Sequence, residues 1–470
     1  MADIIVVGAG MGGLAAGLFC ARRGHTVTIV ERDAEPKPDA TADEDFLRWE
    51  RAGVPHARQG HTFLALSSRI LSQEAPHVID AVAARGAGRV PAAWDGTDEN
   101  LLSRRVVYEG AMRRVVDAAP GITVLSGTSV RGLLSGGDLA GRPRVSGVRT
   151  SNGDLTADFV VDASGRRSHA AQWLAELGAG APAETSQPCG FQYLTRHYRL
   201  RSGREFPSVA VPILTKLDYT KLVVFPGDNG HFQISVTVAA EDPLRHRLRD
   251  PATFQRFVEA VPLTASWVER AEPTDVPRPM AGLEDRWRRL VGPGGPVVAG
   301  FVLLADAAMQ TNPAFGRGVS LAFLHSRQLA ATAEMFAADP LGYVARFDEW
   351  TVSHLGPWFS MQMASTREQR GQLEAGVRHL PVPPSRDQLT RFVTALGVLS
   401  GGDARMARVH ERFLNMLVTP AELTSDPGIS GPVSAFLAGH PNPHPIPSGP
   451  DRAAFEALVA GRPNSHPSDA

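Results

Sequence analysis

The hydrophobic pattern at the start of the chain predicts a strand, a helix and a second strand. An apolar run over residues 3–7 leads into a glycine-rich turn, and a helical run then covers residues 14–23. A second apolar run over residues 26–30 ends at Glu31. This order is typical of a βαβ unit, in which the turn and the start of the helix lie at one edge of a parallel sheet.

The turn between the first strand and the helix has the pattern G-x-G-x-x-G, at Gly8, Gly10 and Gly13. The first glycine allows a tight turn, the second lets a pyrophosphate approach the backbone, and the third lets helix and strand pack closely. The helix N-terminus offers free N–H groups to phosphates. Glu31 can accept hydrogen bonds from a ribose, and it disfavours the extra phosphate of NADP. The pattern therefore predicts a dinucleotide site, with a plain structural turn as the alternative.

Two later strands end in turns with related features. An apolar run over residues 159–161 enters the small-residue turn 162–168, which carries two arginines. The run 296–304 ends at Ala305-Asp306, and the loop 313–318 then precedes an apolar-periodic helix over 319–336. Asp306 can accept a ribose or ribityl hydroxyl, and the helix N-terminus can stabilise a negative charge. The alternative is a helix cap followed by a glycine turn.

The middle of the chain has a different pattern. Four runs of β-branched and aromatic residues predict an antiparallel sheet, at 191–200, 207–214, 219–225 and 232–239. Asp228-Asn229-Gly230 predicts the hairpin between the last two. Tyr193, Arg196 and His197 are candidates to face a substrate from this sheet. Solvated strand faces or a hydrogen-bonded core histidine explain them at least as well.

Other segments receive simpler predictions. Residues 36–45 and 135–143 are predicted to be loops, residues 250–269 a helix, and the chain after 347 mostly helical. The stretch 53–61 is a polar loop with two histidines, in which Arg58 and His61 are candidates to lie near a cofactor. Residues 103–116 have helical spacing that places Arg105, Glu109 and Arg113 on one face; a solvated salt-bridge stripe is the simpler interpretation.

Composition limits the classes of function. The chain has 470 residues, 48 basic and 49 acidic, and a net charge of −1, which argues against nucleic acid or an anionic membrane as the main partner. Two cysteines provide no disulfide framework, and the histidines that accumulate from residue 420 onward are too irregularly spaced for a metal site. No apolar run is long enough to span a bilayer, and the first strand begins at once. The expected compartment is the cytoplasm.

Three fragments in this order, 8–31, 160–168 and 305–318, resemble the FAD-dependent, aromatic hydroxylase-like monooxygenases (group A flavoprotein monooxygenases). The resemblance covers roughly residues 1–350. The stretches 53–61 and 161–168 are similar to an actinobacterial branch that includes polyether polyene epoxidases.

The resemblance implies an α/β fold with a Rossmann-like, three-layer ββα FAD-binding domain (1–186 and 283–350) and an inserted antiparallel-sheet substrate domain (187–282). Residue patterns beyond it predict a helical C-terminal region (351–440) and an extended or flexible tail (441–470), with a short helix near 453–460. The resemblance implies FAD contacts at Gly8, Gly10, Met11, Gly12, Gly13, Glu31, Arg32, Arg105, Val130, Asp306, Pro313, Gly316, Gly318 and Val319. Arg58, His61 and Pro313 are the candidates nearest the reacting ring.

The chain departs from the family pattern at two places. Ala305 stands where the family has a glycine before the aspartate. The family's D-G-x-x-S motif appears as Ser164-Gly165-Arg166-Arg167-Ser168, without its aspartate. Because that motif is linked to both FAD and NAD(P)H, the flavin could be reduced by NADPH or NADH directly or through a separate flavin reductase.

The resemblance implies a monooxygenase of secondary metabolism that uses FAD and O2, through a flavin hydroperoxide, to hydroxylate or epoxidise a small organic molecule. One alternative is a flavin-linked reductase or dehydrogenase, because the turn 162–165 also resembles prenyl reductases. Another is a flavoprotein that sequesters an intermediate without turning it over. The sequence leaves open the identity of the substrate and whether the reaction is instead a Baeyer–Villiger oxidation. It also leaves open the choice between NADH and NADPH, and between a monomer and a homodimer.

Overall fold

The computed structural model describes residues 1–92, 98–207, 213–443 and 448–460. The chain divides into two compact units. Of the described residues, the first unit comprises those within 1–188, 284–363 and 411–426, and the second comprises those within 189–283, 364–410, 427–443 and 448–460. The functional roles given above to the predicted domains stay predictions.

Residues 1–188 contain β1 Asp3–Val7, α1 Met11–Ala21, β2 Thr26–Val30, α2 Ala42–Arg48, α3 Ala65–Glu74, α4 Pro76–Ala84, β3 Gly88–Pro91, β4 Glu99–Leu102, α5 Arg105–Asp117, β5 Ile122–Leu125, β6 Val130–Leu139, β7 Arg142–Thr150, β8 Gly153–Thr156, β9 Phe159–Asp162, α6 Ala170–Glu176 and β10 Ala183–Pro188. Residues 189–283 contain β11 Phe191–Leu200, β12 Ile213–Leu217, β13 Thr220–Pro226, β14 His231–Ala239, α7 Pro251–Ala260, α8 Pro262–Val268, β15 Ala271–Pro273 and β16 Arg278–Met280. The remaining chain contains β17 Glu284–Arg289, β18 Val291–Gly292, β19 Gly295–Pro296, β20 Phe301–Leu303, β21 Met309–Gln310, α9 Gly318–Thr332, α10 Pro340–His354, α11 Gly356–Val377, α12 Gln388–Leu399, α13 Ala404–Leu414, α14 Pro420–Ser425, α15 Pro427–Gly439 and α16 Arg452–Ala460. Short 3₁₀ turns span Pro243–Arg249, Ala305–Ala307, Pro313–Phe315 and Ala333–Phe336.

The first unit is built on a five-stranded parallel sheet with the order β20-β9-β1-β2-β5. Val7 pairs with both Val30 and Asp162, so three strands end side by side at one edge. Helix α1 is buried from Met11 to Cys20, and its glycines let it pack closely against the sheet. A Cβ at Gly17, for example, would lie 2.8 Å from the Ile29 side chain. The predicted Rossmann-like core is confirmed.

Smaller antiparallel sheets complete the first unit: β3-β4, β6-β7-β8, β10-β17-β21 and β18-β19. The predicted loop at 135–143 is wrong, because β6 and β7 form one long hairpin through this stretch. Its turn is only Ala140-Gly141, both with positive φ angles. The glycines at 136 and 137 lie within a bulged strand, where register shifts absorb them.

The second unit contains a six-stranded antiparallel sheet, β12-β13-β14-β11-β15, with β16 also paired to β11. Antiparallel β-structure is confirmed here. The predicted hairpin lies at Asn229-Gly230, where both φ angles are positive. The predicted strand 207–214 falls mostly outside the described residues, which resume with β12. The core of this unit includes Phe232 and Trp267, and the C-terminal helix α16 contributes Phe455 to it.

Several boundaries differ from those predicted. Residues 42–48 form α2 rather than loop, because Thr41 and Glu44 make a capping box. Residues 251–268 form two helices, since Pro262 begins a new one. The predicted strand 296–304 is interrupted at Gly300, whose φ is +80° and whose Cβ would lie 2.3 Å from the Val145 oxygen. The short helix predicted in the tail is α16; residues 444–447 and 461–470 lie outside the described chain.

The described helices include none that is long and apolar enough to cross a membrane. Among the same residues, no group of three or more histidine, cysteine or acidic side chains is arranged to hold a metal ion. The mixed α/β fold, with its Rossmann-like sheet, additional antiparallel sheets and C-terminal helices, agrees with the class predicted from sequence.

Candidate active site

The glycine turn after β1 is built to bring a ligand close to the backbone. Gly8 has a φ of +100°, and its N–H donates to the Val30 oxygen at 2.8 Å. A Cβ at Gly13 would lie only 1.9 Å from the Gly8 oxygen, whereas a Cβ at Gly10 would meet no atom within 4 Å. Gly10 precedes α1 without any side-chain cap. The first N–H groups of α1 therefore open onto free space, which fits a pyrophosphate.

The Glu31 side chain forms hydrogen bonds that link the end of β2 to this turn. Its Oε2 accepts a hydrogen bond from the Ala9 N–H at 2.8 Å, and its Oε1 accepts one from the Asp33 N–H at 2.8 Å. The side chain is buried. The structure thus places the carboxylate at the strand tip beside the glycines, and its predicted contact with a ribose stays a prediction.

Arg51 is a buried cation that the sequence analysis did not identify. Its guanidinium lies within 3.3 Å of Glu31, 3.0 Å of Asp33 and 2.7 Å of Glu109. It also donates to the Ala9 oxygen at 3.1 Å. Burial raises the pKa of Glu109, but Arg51 and Arg105 outweigh it and hold this pKa below its usual value. Arg51 stands just before the stretch 53–61, and no local pattern distinguishes it from a surface arginine.

Arg105 connects the carboxylate network to two histidines. Its Nη1 lies 2.9 Å from His56 Nε2 and 3.2 Å from His61 Nε2, and its Nε donates to Glu109 at 3.1 Å. His61 Nδ1 lies 2.8 Å from the Gln59 oxygen, so Nδ1 carries the proton and Nε2 accepts. The simpler expectation of a solvated stripe on α5 is wrong, since Glu109 and Arg113 are each 1% exposed.

Both histidines are held neutral. Burial, and then the Arg105 charge, lower the pKa of His61 to about 3 and place the pKa of His56 well below its ordinary value. The two rings stack with centroids 5.5 Å apart. A neutral imidazole whose Nε2 accepts from Arg105 cannot also serve as a proton donor there. We therefore assign His61 to the orientation of Arg105 rather than to acid catalysis.

Asp306 lies in the short turn after β20, in the electrostatic field of Arg105 and Arg166. Burial raises its pKa, and the two arginines oppose this. No hydrogen bond joins its carboxylate to another described residue. The carboxylate is therefore free to accept hydroxyl groups of a ligand. The turn with Arg166 follows β9, and its Ala163 and Ser164 backbone packs within 3.0 Å of the Cβ position of Gly8.

Ala305, which replaces the family's glycine, has a φ of +52°. Its methyl group faces α1, where a Cβ at Gly12 would lie 2.6 Å from it. Its N–H donates to His325 Nδ1 at 3.3 Å, and His325 Nε2 donates to Thr351 at 3.1 Å. His325 is buried and stacks on Phe347 at 4.7 Å. This histidine therefore supports the turn that presents Asp306.

The buried His325 gives a prediction about pH. Burial lowers the pKa of His325 to about 3. Between about pH 6.5 and that value, the unfolded chain therefore binds a proton at this residue and the folded chain does not. The stabilising contribution is present above about pH 6.5 and is lost as the pH falls toward 3, at roughly 1 kcal/mol per pH unit. We expect His325→Gln to remove this part of the slope when the free energy of unfolding is measured between about pH 6.5 and 4.5. The exposed His354 on α10 is the control: His354→Gln should leave the slope unchanged, and equal slopes in all three proteins would contradict the prediction.

The loop 313–318 joins the same cluster. Gly316 has a φ of +67°, and a Cβ there would lie 3.0 Å from the Thr62 Cβ, next to His61. Pro313 begins a 3₁₀ turn that the Asn312 side chain caps. Gly318 begins α9 without a side-chain cap and meets no atom within 4 Å of its Cβ position. The loop therefore leaves bare backbone and a free helix N-terminus, and Val319 follows in the first turn of α9.

Other candidates lie in different surroundings. Arg58 donates to the oxygens of Phe46, Leu47 and Trp49, so it supports the end of α2. The Arg32 side chain is 46% exposed, 4.0 Å from Asp33. Val130 begins β6, where it pairs with Thr150. The ligand contacts predicted for them stay predictions.

Tyr193, Arg196 and His197 lie on β11 of the second unit. Arg196 donates to the oxygens of Asp275 and Pro251, and His197 Nδ1 lies 2.7 Å from Asp275. Tyr193 is buried against Phe191. These contacts agree with roles inside the unit, and contact with a substrate stays a prediction.

Comparisons with known proteins support an FAD-dependent oxidoreductase. Residues 3–210 match the family described as FAD dependent oxidoreductase. The chain is 25% identical to Protein Rv3254 of Mycobacterium tuberculosis over 361 residues, covering 69% of this chain and 71% of that protein. It is 25% identical to kynurenine 3-monooxygenase of Salinispora arenicola over 338 residues, covering 68% and 70%. The structure of CmlS, a flavin-dependent halogenase, shares the fold with a TM-score of 0.59 at 19% identity, over 84% of this chain and 72% of that one.

Proposed function

We propose that this FAD-dependent oxidoreductase is a monooxygenase that inserts one oxygen atom from O2 into a small organic molecule, by hydroxylation or epoxidation. The observation that carries the proposal is the packing of the glycine turn against the Asp306 turn and α9: the Cβ position of Gly12 lies 2.6 Å from Ala305 and 3.5 Å from Ala322, and α9 begins without a side-chain cap. The similarity to kynurenine 3-monooxygenase supports it. Bound reduced FAD supplies the electrons that activate O2.

The chain's residues would hold and shield the cofactor. The open N-terminus of α1 at Gly10 suits the pyrophosphate, and the free carboxylate of Asp306 suits the ribityl hydroxyls. Arg105, oriented by two neutral histidines, presents a positive charge that acts on Asp306. The N-terminus of α9 would stabilise negative charge on the reduced ring, because helix N–H groups there have no internal acceptor.

The turn Ser164–Ser168 bears on the source of electrons. Arg166 is half-buried and its pKa is influenced by the charge of Asp306, and Ser164 stands where the family's motif has an aspartate. We propose NADPH or NADH as the reductant, used directly or through a separate flavin reductase. Similarity of the stretch 53–61 to polyene epoxidases supports a role in secondary metabolism. A cytoplasmic monomer or homodimer acting on a small molecule completes the proposal.

The test is oxygen incorporation. FAD-loaded protein would be supplied with NADPH or NADH, with and without a flavin reductase, under ¹⁸O2 and a panel of aromatic and polyene compounds. We expect a product that carries one ¹⁸O atom, detected by mass spectrometry, in at least one reaction. A product that is reduced or dehydrogenated without label would contradict the proposal and favour the reductase alternative.

A further inference from the structure

The residue just before α9 is a buried cation without a hydrogen-bond acceptor. Arg317 stands between Gly316 and Gly318 and is only 2% exposed. Its Nε and Nη1 atoms are buried and have no hydrogen-bond partner, and no ion pair joins it to another described residue. Burial alone lowers its pKa, to about 10, so the side chain remains charged at neutral pH. Burying a charge without a partner is costly, which means that the fold retains this arginine at the expense of stability.

Two further features of the first turn of α9 favour an anion. The Ser320 hydroxyl is fully buried and also lacks a partner among the described residues. The N–H groups at the start of α9 have no side-chain cap, so they add a positive partial charge. The Arg317 guanidinium and the Ser320 hydroxyl are therefore two side-chain donors without an acceptor among the described residues, and the helix N-terminus adds positive potential at this end of α9.

The surroundings of Arg317 are aromatic. Its Cζ lies over the rings of Phe315, at 4.7 Å, and Trp358, at 5.1 Å. Trp358 is 3% exposed and itself stacks on Phe413 at 5.5 Å. Ring faces attract the cation but cannot accept the directed hydrogen bonds that a carboxylate would provide. A planar, ring-bearing acid fits both the charge and the aromatic lining.

We propose that Arg317 binds the carboxylate of an aromatic acid, so that the substrate of this site is an organic anion held beside the loop 313–318. The inference rests on the proposed function in one respect, namely that the bound acid is the substrate. The anion site itself depends only on the unpaired side-chain donors of Arg317 and Ser320.

The test uses benzoate as the probe and benzamide as its neutral counterpart. Binding to oxidised, FAD-loaded protein would be measured by calorimetry, without reductant, in chloride-free buffer. We expect the wild-type protein to bind benzoate at least about tenfold more tightly than benzamide, because a charge-assisted hydrogen bond replaces an unpaired donor. Arg317→Met should remove this preference, and Arg317→Lys should restore part of it.

The thermal midpoint separates a binding role from a structural one. Because Arg317→Met removes an unpaired buried charge, it should unfold at the same or a higher temperature than wild type when no acid is present. The matched control is Arg105→Met, whose partner Glu109 is buried and would lose an ion pair, so its midpoint should fall.

Three outcomes of this titration would overturn the inference: equal binding of benzoate and benzamide, no benzoate binding, or an unchanged preference in Arg317→Met. A fourth is Arg317-dependent binding of chloride, but not of benzoate, when chloride is titrated separately. The result is distinguishable from failure of the proposed function. A protein that binds benzoate through Arg317 but incorporates no ¹⁸O would retain the anion site and lose the monooxygenase assignment. Oxygen transfer only to neutral compounds, unaffected by Arg317→Met, would retain the monooxygenase assignment and overturn the anion site.

Discussion

Replacing Gly13 with alanine is expected to destabilise the first unit and abolish FAD binding. The new Cβ would lie 1.9 Å from the Gly8 oxygen, and both atoms belong to a backbone that is fixed by β1 and α1. No side-chain rotation can relieve this overlap, so the helix must move away from the strand. We expect a loss of at least about 3 kcal/mol in the free energy of unfolding, measured by denaturant titration.

Gly10 is the matched control for Gly13. It stands three residues earlier in the same turn, has φ −77° and ψ 178°, and its Cβ position has no atom within 4 Å. Gly10→Ala should therefore change the free energy of unfolding by less than about 0.5 kcal/mol. If the pyrophosphate occupies that space, the same variant should bind FAD about tenfold more weakly. Full stability of Gly13→Ala, or unchanged FAD affinity of Gly10→Ala, would contradict the account of this turn.

The second large effect is expected for Arg51→Met. This change leaves Glu31, Asp33 and Glu109 buried without their shared cation, and the first and last of these connect to the glycine turn and to Arg105. Removing one partner of a buried ion pair costs roughly 3–5 kcal/mol, because the remaining charges stay desolvated. The free energy of unfolding at neutral pH should fall by about that amount.

The effect of Arg51→Met should depend on pH in a defined direction. Without the arginine, the pKa of Asp33, which burial already raises, should rise further, and the pKa of Glu109 should rise because one of the two arginines that lower it is gone. Their protonation then favours the folded state at low pH, and this contribution is lost as the pH rises through the raised values. The difference between variant and wild type should therefore shrink as the pH falls from about 7 to about 4.

Arg32→Met is the control for Arg51→Met. It removes the same charge from the neighbouring region, but its side chain is 46% exposed and its ion pair with Asp33 is 4.0 Å long. We expect a change below about 1 kcal/mol in the free energy of unfolding. Similar losses in the two variants, or no pH dependence in Arg51→Met, would show that the carboxylate network does not depend on Arg51.

The sequence was sufficient to predict the parallel sheet and the glycine turn, because both depend on local patterns. The apolar run of β1, the glycines and the acid at the tip of β2 follow one another within 31 residues. The hairpin β6–β7 was missed for the opposite reason. Its glycines resemble a turn locally, and only pairing with the partner strand shows that the backbone stays extended there.

The buried arginines could not be predicted for a related reason. Arg51 and Arg317 look like surface residues in the sequence, since most arginines are exposed. The burial of Arg51 depends on carboxylates that come from β2 and α5. Arg317 is buried beneath the ring of Trp358, which belongs to α11 and is distant in sequence. Periodicity describes a single element, whereas these sites form where several elements meet.

The most direct test of the central claim is the reaction of the reduced, FAD-loaded protein with O2. Protein reduced by dithionite would be mixed rapidly with oxygenated buffer, and the return of the oxidised flavin absorbance would be recorded. A site that shields the reactive cofactor predicts two phases, in which O2 is consumed before the oxidised spectrum returns and the delay shortens when a substrate is present. Return of the oxidised spectrum in a single phase, in step with O2 consumption and unaffected by any compound tested, would contradict a monooxygenase.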